Sequence, residues 1–292
     1  MPLPTPPPLG SSALPSGTFD GRVVIVTGGG TGIGKGIALE FARLGCAVGI
    51  VSRKPEHREA GVAAVEALGA KAFAVAADIR DVAQITAAFD AIEGALGPVS
   101  YLVNNAAGNF AVAAEDMSPN AWRAVTQIVL DGTFFCSTEL ARRCLARNGD
   151  GAIVNIAATY AWTGGPGASH SAAAKAGVVN LTQSLAVEWA GDGIRVNGIA
   201  PGMFPHDDQD AHWGAGRQKE SAARKVQIPA GRTGEVREMG WAATFLCSPY
   251  ASYITGHTLV VDGANWLRRY GFATEPYTPP RDIIAAQRAP KD

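Results

Sequence analysis

Val23-Val24-Ile25-Val26-Thr27-Gly28-Gly29-Gly30-Thr31-Gly32-Ile33-Gly34 joins four apolar residues and a threonine directly to a glycine-rich loop, and Lys35–Arg43 continues in a helical pattern. An apolar run without alternation suits a strand buried on both faces. Glycine at 28 permits a tight turn, Gly32 lets backbone approach a pyrophosphate, and Gly34 lets the helix pack on the strand. The helix start offers oriented N–H groups and about half a positive charge to an anion. A glycine-rich loop alone is a weak sign. Between a first strand and a first helix it points to dinucleotide binding, with Thr31 and Ile33 completing the loop.

Outward from that stretch the same alternation repeats. Strand-like runs occupy Val23–Thr27, Ala47–Ser52, Ala72–Ala77, Leu102–Asn105, Ala152–Ala157, Arg195–Ile199 and Thr258–Val261. Helical patterns lie near 33–44, 57–68, 82–96, 119–147, 169–189 and 235–247. Repeated strand–helix order predicts an α/β fold: a doubly wound parallel sheet (Rossmann fold) in one domain over 19–267. Residues 203–232 break the rhythm with Pro205, Pro229 and a polar run, which predicts a substrate-loop insert at the carboxyl edge of the sheet. Residues 1–18, with six prolines, read as a Pro-rich disordered arm, and 268–292, with four, as an extended C-terminal tail.

Composition limits the partners. The 292 residues carry 25 Lys+Arg against 26 Asp+Glu, a net charge of −1, with 47% hydrophobic and only 17% charged residues. This balance gives no electrostatic footprint for nucleic acid or an anionic membrane surface, and no apolar run is long enough to span a bilayer. The first basic residue is Arg22, so neither a secretory signal nor a transit peptide is expected. Cys46, Cys136, Cys144 and Cys247 show no CxxC spacing, which fits reduced thiols in a cytoplasmic protein. His206, Asp207, Asp208, Asp210 and His212 lack an i,i+4 histidine pair, so a solvated face is expected there and no metal. Arg217, Lys219, Arg224 and Lys225 serve phosphates or are solvated helix charges.

The second strand ends in Ser52-Arg53-Lys54, where an NAD site puts a carboxylate for the ribose 2′-OH. A hydroxyl and two cations suit the 2′-phosphate of NADP(H) instead; surface basics after a strand are the alternative.

Thr27-Gly28-x-x-x-Gly32-Ile33-Gly34, Asp78-Ile79 after the third strand, Asn104-Asn105-Ala106-Ala107-Gly108 after the fourth and Pro201-Gly202 after the sixth together resemble the short-chain dehydrogenase/reductase family over residues 20–267. The resemblance implies that Asp78 caps the adenine amino group and that Asn105, Ala106, Ala107 and Gly108 line the cofactor channel. It also implies a homotetramer built through the helices at 119–147 and 169–189. The family's usual catalytic pair is Tyr-x-x-x-Lys. Here Lys175 is present, but the position four before it is Ser171, and the upstream serine's place falls near Ala157-Ala158. The family's helix asparagine is likewise absent from Val129-Leu130-Asp131, where Asp131 is a relay acid or the partner of an arginine.

The local sequences Gly108-Asn109-Phe110, Thr159-Tyr160-Ala161 and His170-Ser171-x-x-x-Lys175 resemble the 2,4-dienoyl-CoA reductase branch. In that branch the tyrosine precedes the lysine by 15 residues, as Tyr160 precedes Lys175, and an asparagine, here Asn109, shares the substrate carbonyl. The implied reaction is NADPH-dependent reduction of an unsaturated acyl-CoA, as in fatty acid β-oxidation. Negative charge then gathers on the thioester oxygen, where two fixed donors, Tyr160 and Asn109, are worth ~3–4 kcal/mol each. Lys175 would hold the nicotinamide ribose hydroxyls, with Ser171 on the same helical face. Two alternatives stand beside this: a reductase of another carbonyl or enone, and a non-catalytic NADP(H)-binding protein. Tyr160 filling a pocket wall and Asn109 closing its own turn are the plain structural counterparts.

Overall fold

The computed structural model describes residues 3–206 and 228–267. Seven strands, β1 (Val23–Thr27), β2 (Ala47–Val51), β3 (Ala72–Val75), β4 (Val99–Asn104), β5 (Gly151–Ile156), β6 (Ile194–Pro201) and β7 (Thr258–Val261), form one sheet in the order β3-β2-β1-β4-β5-β6-β7. Every neighbouring pair is parallel. The flanking helices are α1 (Gly32–Arg43), α2 (Pro55–Glu66), α3 (Val82–Leu96), α4 (Pro119–Thr126), α5 (Gly132–Ala146), α6 (Tyr160–Thr163), α7 (Ser169–Trp189) and α8 (Val236–Cys247).

The continuous apolar strands follow from burial on both faces. In β1, Val24 and Val26 face a cluster with Ile37 and Phe41 of α1 and Met239 of α8. Val23 and Ile25 face the opposite cluster, with Ile85 and Phe89 of α3 and Leu140 of α5. Truncating such a residue to alanine costs about 2–5 kcal/mol, so the sheet is a rigid platform. Helix starts are fixed by side chains: Asp81 accepts from Ala83 and Gln84 N–H at the start of α3, and Ser118 accepts from Ala121 N–H at 3.1 Å before α4. Strand order reverses between β1 and β4, and there the carboxyl ends of the strands open a crevice.

Two features differ from the sequence expectations. The helix expected over 119–147 is broken by a π turn at Gln127–Asp131. Gly132 there lies so close to the β3 loop that a Cβ would stand 2.7 Å from Ile79 Cδ1. The second is the arm: the disorder expected of 1–18 does not hold over its described residues. They form no helix or strand, yet Leu3 N–H donates to Ala230 O at 2.9 Å. Arg232 Nε donates to Pro4 O, Arg237 Nε to Pro7 O and Trp241 Nε1 to Ser11 O, at 3.1, 3.0 and 2.9 Å. Proline lacks an N–H but keeps its carbonyl, so arginine and tryptophan donors can fasten a chain that cannot join a sheet. Its fixed φ also lowers the entropy lost in ordering. Of the insert, 203–206 and 228–232 are described. Asp207, Asp208, Asp210, His212, Arg217, Lys219, Arg224, Lys225 and the tail from 268 lie outside the described residues.

Candidate active site

The crevice begins at the glycine loop. Gly28 has φ +67° and donates its N–H to Val51 O at 2.8 Å, so the chain leaves β1 through a left-handed turn. Gly34 sits where a Cβ would stand 2.3 Å from Gly28 O and 2.4 Å from Asn105 Nδ2. No larger residue fits between helix and strand. Thr31 caps α1 without a side-chain hydrogen bond to the helix, so the amides of the first turn are not closed by it. Gly32, φ +50°, has the His206 ring against it; Ile33 packs on the core. A positively polarised helix start fits a diphosphate.

Asn105 locks this loop to β4. Its Nδ2 donates to Thr27 O at 3.0 Å and Gly28 O at 3.3 Å, while the Asn105 and Ala106 amides both donate to Thr27 Oγ1 at 3.0 Å. Ala107 and Gly108 continue the wall, and Pro201-Gly202 closes the far side, with Gly202 N–H on Val261 O at 2.9 Å. Beneath lies a buried polar chain that sequence reasoning missed. Asn104 Nδ2 donates to Asn155 Oδ1 at 2.8 Å and Ser137 Oγ at 2.9 Å, and Asn155 Nδ2 donates to Thr182 Oγ1 at 2.9 Å. It ties β4, β5, α5 and α7 together under the site. An asparagine in the middle of the apolar run Ala152–Ala157 was its signal.

At the ends of β2 and β3 the expected cations are in place. Ser52 and Arg53 carbonyls both accept from Arg58 Nη1, at 2.9 and 2.8 Å, which fixes the turn. Lys54 is exposed at the start of α2. Asp78 is bound through both oxygens by Arg80, a residue absent from the sequence-based set, and Ile79 is buried. Arg80 holds the Asp78 carboxyl down at about 2, against the opposing effect of burial.

The other half of the crevice is made of side chains. Tyr160 stands on α6, one turn ended by Gly164 at φ +74°, and its hydroxyl is 3.0 Å from Ser171 Oγ on α7. Burial raises the phenol's pKa, and the Ser171 contact opposes this. Lys175, one turn beyond Ser171, donates to Ile156 O and is 7% exposed; burial alone pushes its ammonium down to about 8. Asn109 follows β4, and its Oδ1 accepts from Phe110 N–H at 2.9 Å. The turn-closing contact is therefore real, and it leaves the two amide N–H groups as donors. Val112 N–H to Gly167 O at 2.9 Å joins this loop to the one that leads into α7. His170 was also missed: fully buried, its ring meets Phe110 edge-on at 4.7 Å. No ion pair holds Asp131 among the described residues. Nor could any group of three or more His, Cys, Asp or Glu among them hold a metal. The four cysteines are free and buried. No helix among the described residues is long and apolar enough to cross a membrane.

Comparison with known proteins extends this picture. A family model described as enoyl-(acyl carrier protein) reductase matches residues 28–264. A Bacillus subtilis (strain 168) protein named probable 2,4-dienoyl-CoA reductase, (2E)-enoyl-CoA-producing, is 42% identical over 259 residues, 86% of this chain and 99% of that one. The crystal structure of a short chain dehydrogenase from Bacillus anthracis is 41% identical, with a TM-score of 0.78 over 86% of this chain and 98% of that chain. A structure from Agrobacterium tumefaciens with bound NADP is 34% identical, with a TM-score of 0.76 over the same shares. Matched through the sheet and both halves of the crevice, the chain belongs to the short-chain dehydrogenase/reductase family of oxidoreductases.

Proposed function

We propose that this protein reduces a conjugated unsaturated acyl thioester with NADPH, as a 2,4-dienoyl-CoA reductase. The observation that carries this reading is the Tyr160 hydroxyl 3.0 Å from Ser171 Oγ, one helical turn before buried Lys175. The phenol approaches the lysine helix from a separate element, while a serine holds the position four before the lysine. The names of relatives support the same substrate class, in Bacillus subtilis and in the peroxisomal 2,4-dienoyl-CoA reductase of Rattus norvegicus, 39% identical over 247 residues.

Gly28, Thr31, Gly32, Ile33 and Gly34 cradle the diphosphate, and Ser52, Arg53 and Lys54 face the 2′-phosphate. Asp78, Ile79, Asn105, Ala106, Ala107 and Gly108 border the adenosine and the channel beyond it, with Pro201 and Gly202 opposite. When bound, the cofactor supplies a hydride to the far end of the diene. Tyr160 O–H and the Asn109 amide donate to the thioester oxygen as negative charge gathers there. Ser171 fixes the phenol through its hydroxyl, and Lys175 holds the ribose hydroxyls. Protonation of the α-carbon, by water or by a relay, completes the reduction. We further propose a cytoplasmic homotetramer with its contacts on α4–α5 and α7. Measuring NADPH oxidation with a 2,4-dienoyl-CoA, an enoyl-CoA and simple ketones tests the reading. Turnover is expected with the dienoyl-CoA and is lost in Tyr160→Phe and Lys175→Ala. Activity on ketones alone, cofactor binding without any turnover, or unchanged rates in both variants would each overturn it.

A further inference from the structure

Two arginines converge on one carboxylate at the edge of the cofactor site. Arg80 Nε lies 2.9 and 3.1 Å from the two Asp78 oxygens, and Arg80 Nη2 also reaches Oδ2. Arg53 Nη1 stands 3.8 Å from Asp78 Oδ2, beyond hydrogen-bond range, and its side chain is 61% exposed. The backbone under Arg53 is fixed by Arg58, so only its guanidinium is left to choose a partner.

That choice has two candidates. A charged Asp78 without Arg80 would draw Arg53 into a bidentate pair and withdraw it from a ligand. The same carboxylate would also repel a 2′-phosphate carrying nearly two negative charges. With Arg80 closed on both oxygens, Asp78 is satisfied and neutralised, and the Arg53 guanidinium stays directed outward. Two cations around one anion leave a local charge of +1 where the phosphate would sit.

We propose that Arg80 determines the preference for a 2′-phosphorylated dinucleotide by occupying Asp78, so that Arg53 is free for the phosphate. Arg80 is thus a positioning residue, and the inference rests on the reading that this cradle takes NADP(H). NADH, which lacks the phosphate, is the internal control, because a general structural role would move both cofactors together.

The test is a fluorescence titration of the full chain with NADPH and with NADH. The wild-type protein is expected to prefer NADPH. In Arg80→Gln, NADPH affinity falls about tenfold, as expected for one charge lost near a phosphate in largely aqueous surroundings, while NADH affinity stays within about twofold. In Asp78→Asn/Arg80→Gln the NADPH-to-NADH ratio returns toward wild type, since there is no longer a carboxylate to occupy. A wild-type protein without NADPH preference would refute the NADP(H) reading itself. A wild-type preference that Arg80→Gln leaves intact, or that shifts equally for both cofactors, overturns the role of Arg80. Should Arg80→Gln fail to bind NADH at all, Arg80→Lys decides: it keeps the charge without the fork, so an intermediate ratio is expected and a wild-type ratio counts against the role.

Discussion

The two halves of the crevice are made of different material. Around β1 and β4 the surface facing a ligand is backbone, open because Gly28 and Gly32 have no side chains, closed underneath by the packing of buried Gly34, and pinned by Asn105. Around α6 and α7 it is side chains: Tyr160, Ser171 and Lys175, with Asn109 from the loop after β4. The first half is sensitive to added atoms and the second to removed ones. Binding and chemistry should therefore separate on mutation.

The sharpest break is expected at Tyr160→Phe. Loss of one oxyanion donor should lower kcat about 10²–10³-fold while the cofactor dissociation constant barely moves. Steady-state kinetics beside a binding titration checks this, and a parallel loss of binding would erase the distinction between the halves. Next is Gly34→Ala, which places a Cβ 2.3 Å from Gly28 O. The forced shift should cost about 3 kcal/mol of stability, and cofactor affinity should fall with it. Chemical denaturation and titration measure the two losses together.

A third test uses pH. The Lys175 ammonium, held at about 8, is charged below that value and neutral above it. kcat/KM for the cofactor should fall as pH rises through about 8, and this limb should vanish in Lys175→Arg, which stays protonated. Stability moves the other way. The native lysine sits below its ordinary 10.5, so between about 8 and 10.5 the unfolded chain binds more protons. Wild-type stability should then gain on Lys175→Met as pH rises across that window. The smallest effect is expected at Trp241→Phe. Losing the hydrogen bond to Ser11 O should cost about 1 kcal/mol in denaturation, with cofactor affinity unchanged.

The same contrast explains what could be read from the sequence. All seven strands were legible: the central ones because burial on both faces demands apolar runs, and the half-buried edge strands β3 and β7 because they keep short apolar runs of their own. β4 begins earlier than expected, at Val99, since Ser100 and Tyr101 are buried despite their polar groups. The glycine cradle was legible because a missing side chain records backbone geometry directly. Tyr160 followed only from family resemblance: it reaches Ser171 across the turn at 164–168, and no helical period links α6 to α7. Asn155 and His170 stayed hidden because each acquires its meaning from a partner on another element, and Arg80 because its grip on Asp78, two residues away, depends on the turn between them. The arm was misjudged on composition, which counts prolines but not the arginines that grip their carbonyls.

That arm has a consequence for biosynthesis. Its partners Ala230, Arg232, Arg237 and Trp241 leave the ribosome some 230 residues after it. These residues thus wait for their places, and settle only when α8 has been made. Closing so long a loop is slow compared with pairing neighbouring strands. Docking of residues 3–11 should be among the last events in folding, a late clasp on a sheet already assembled.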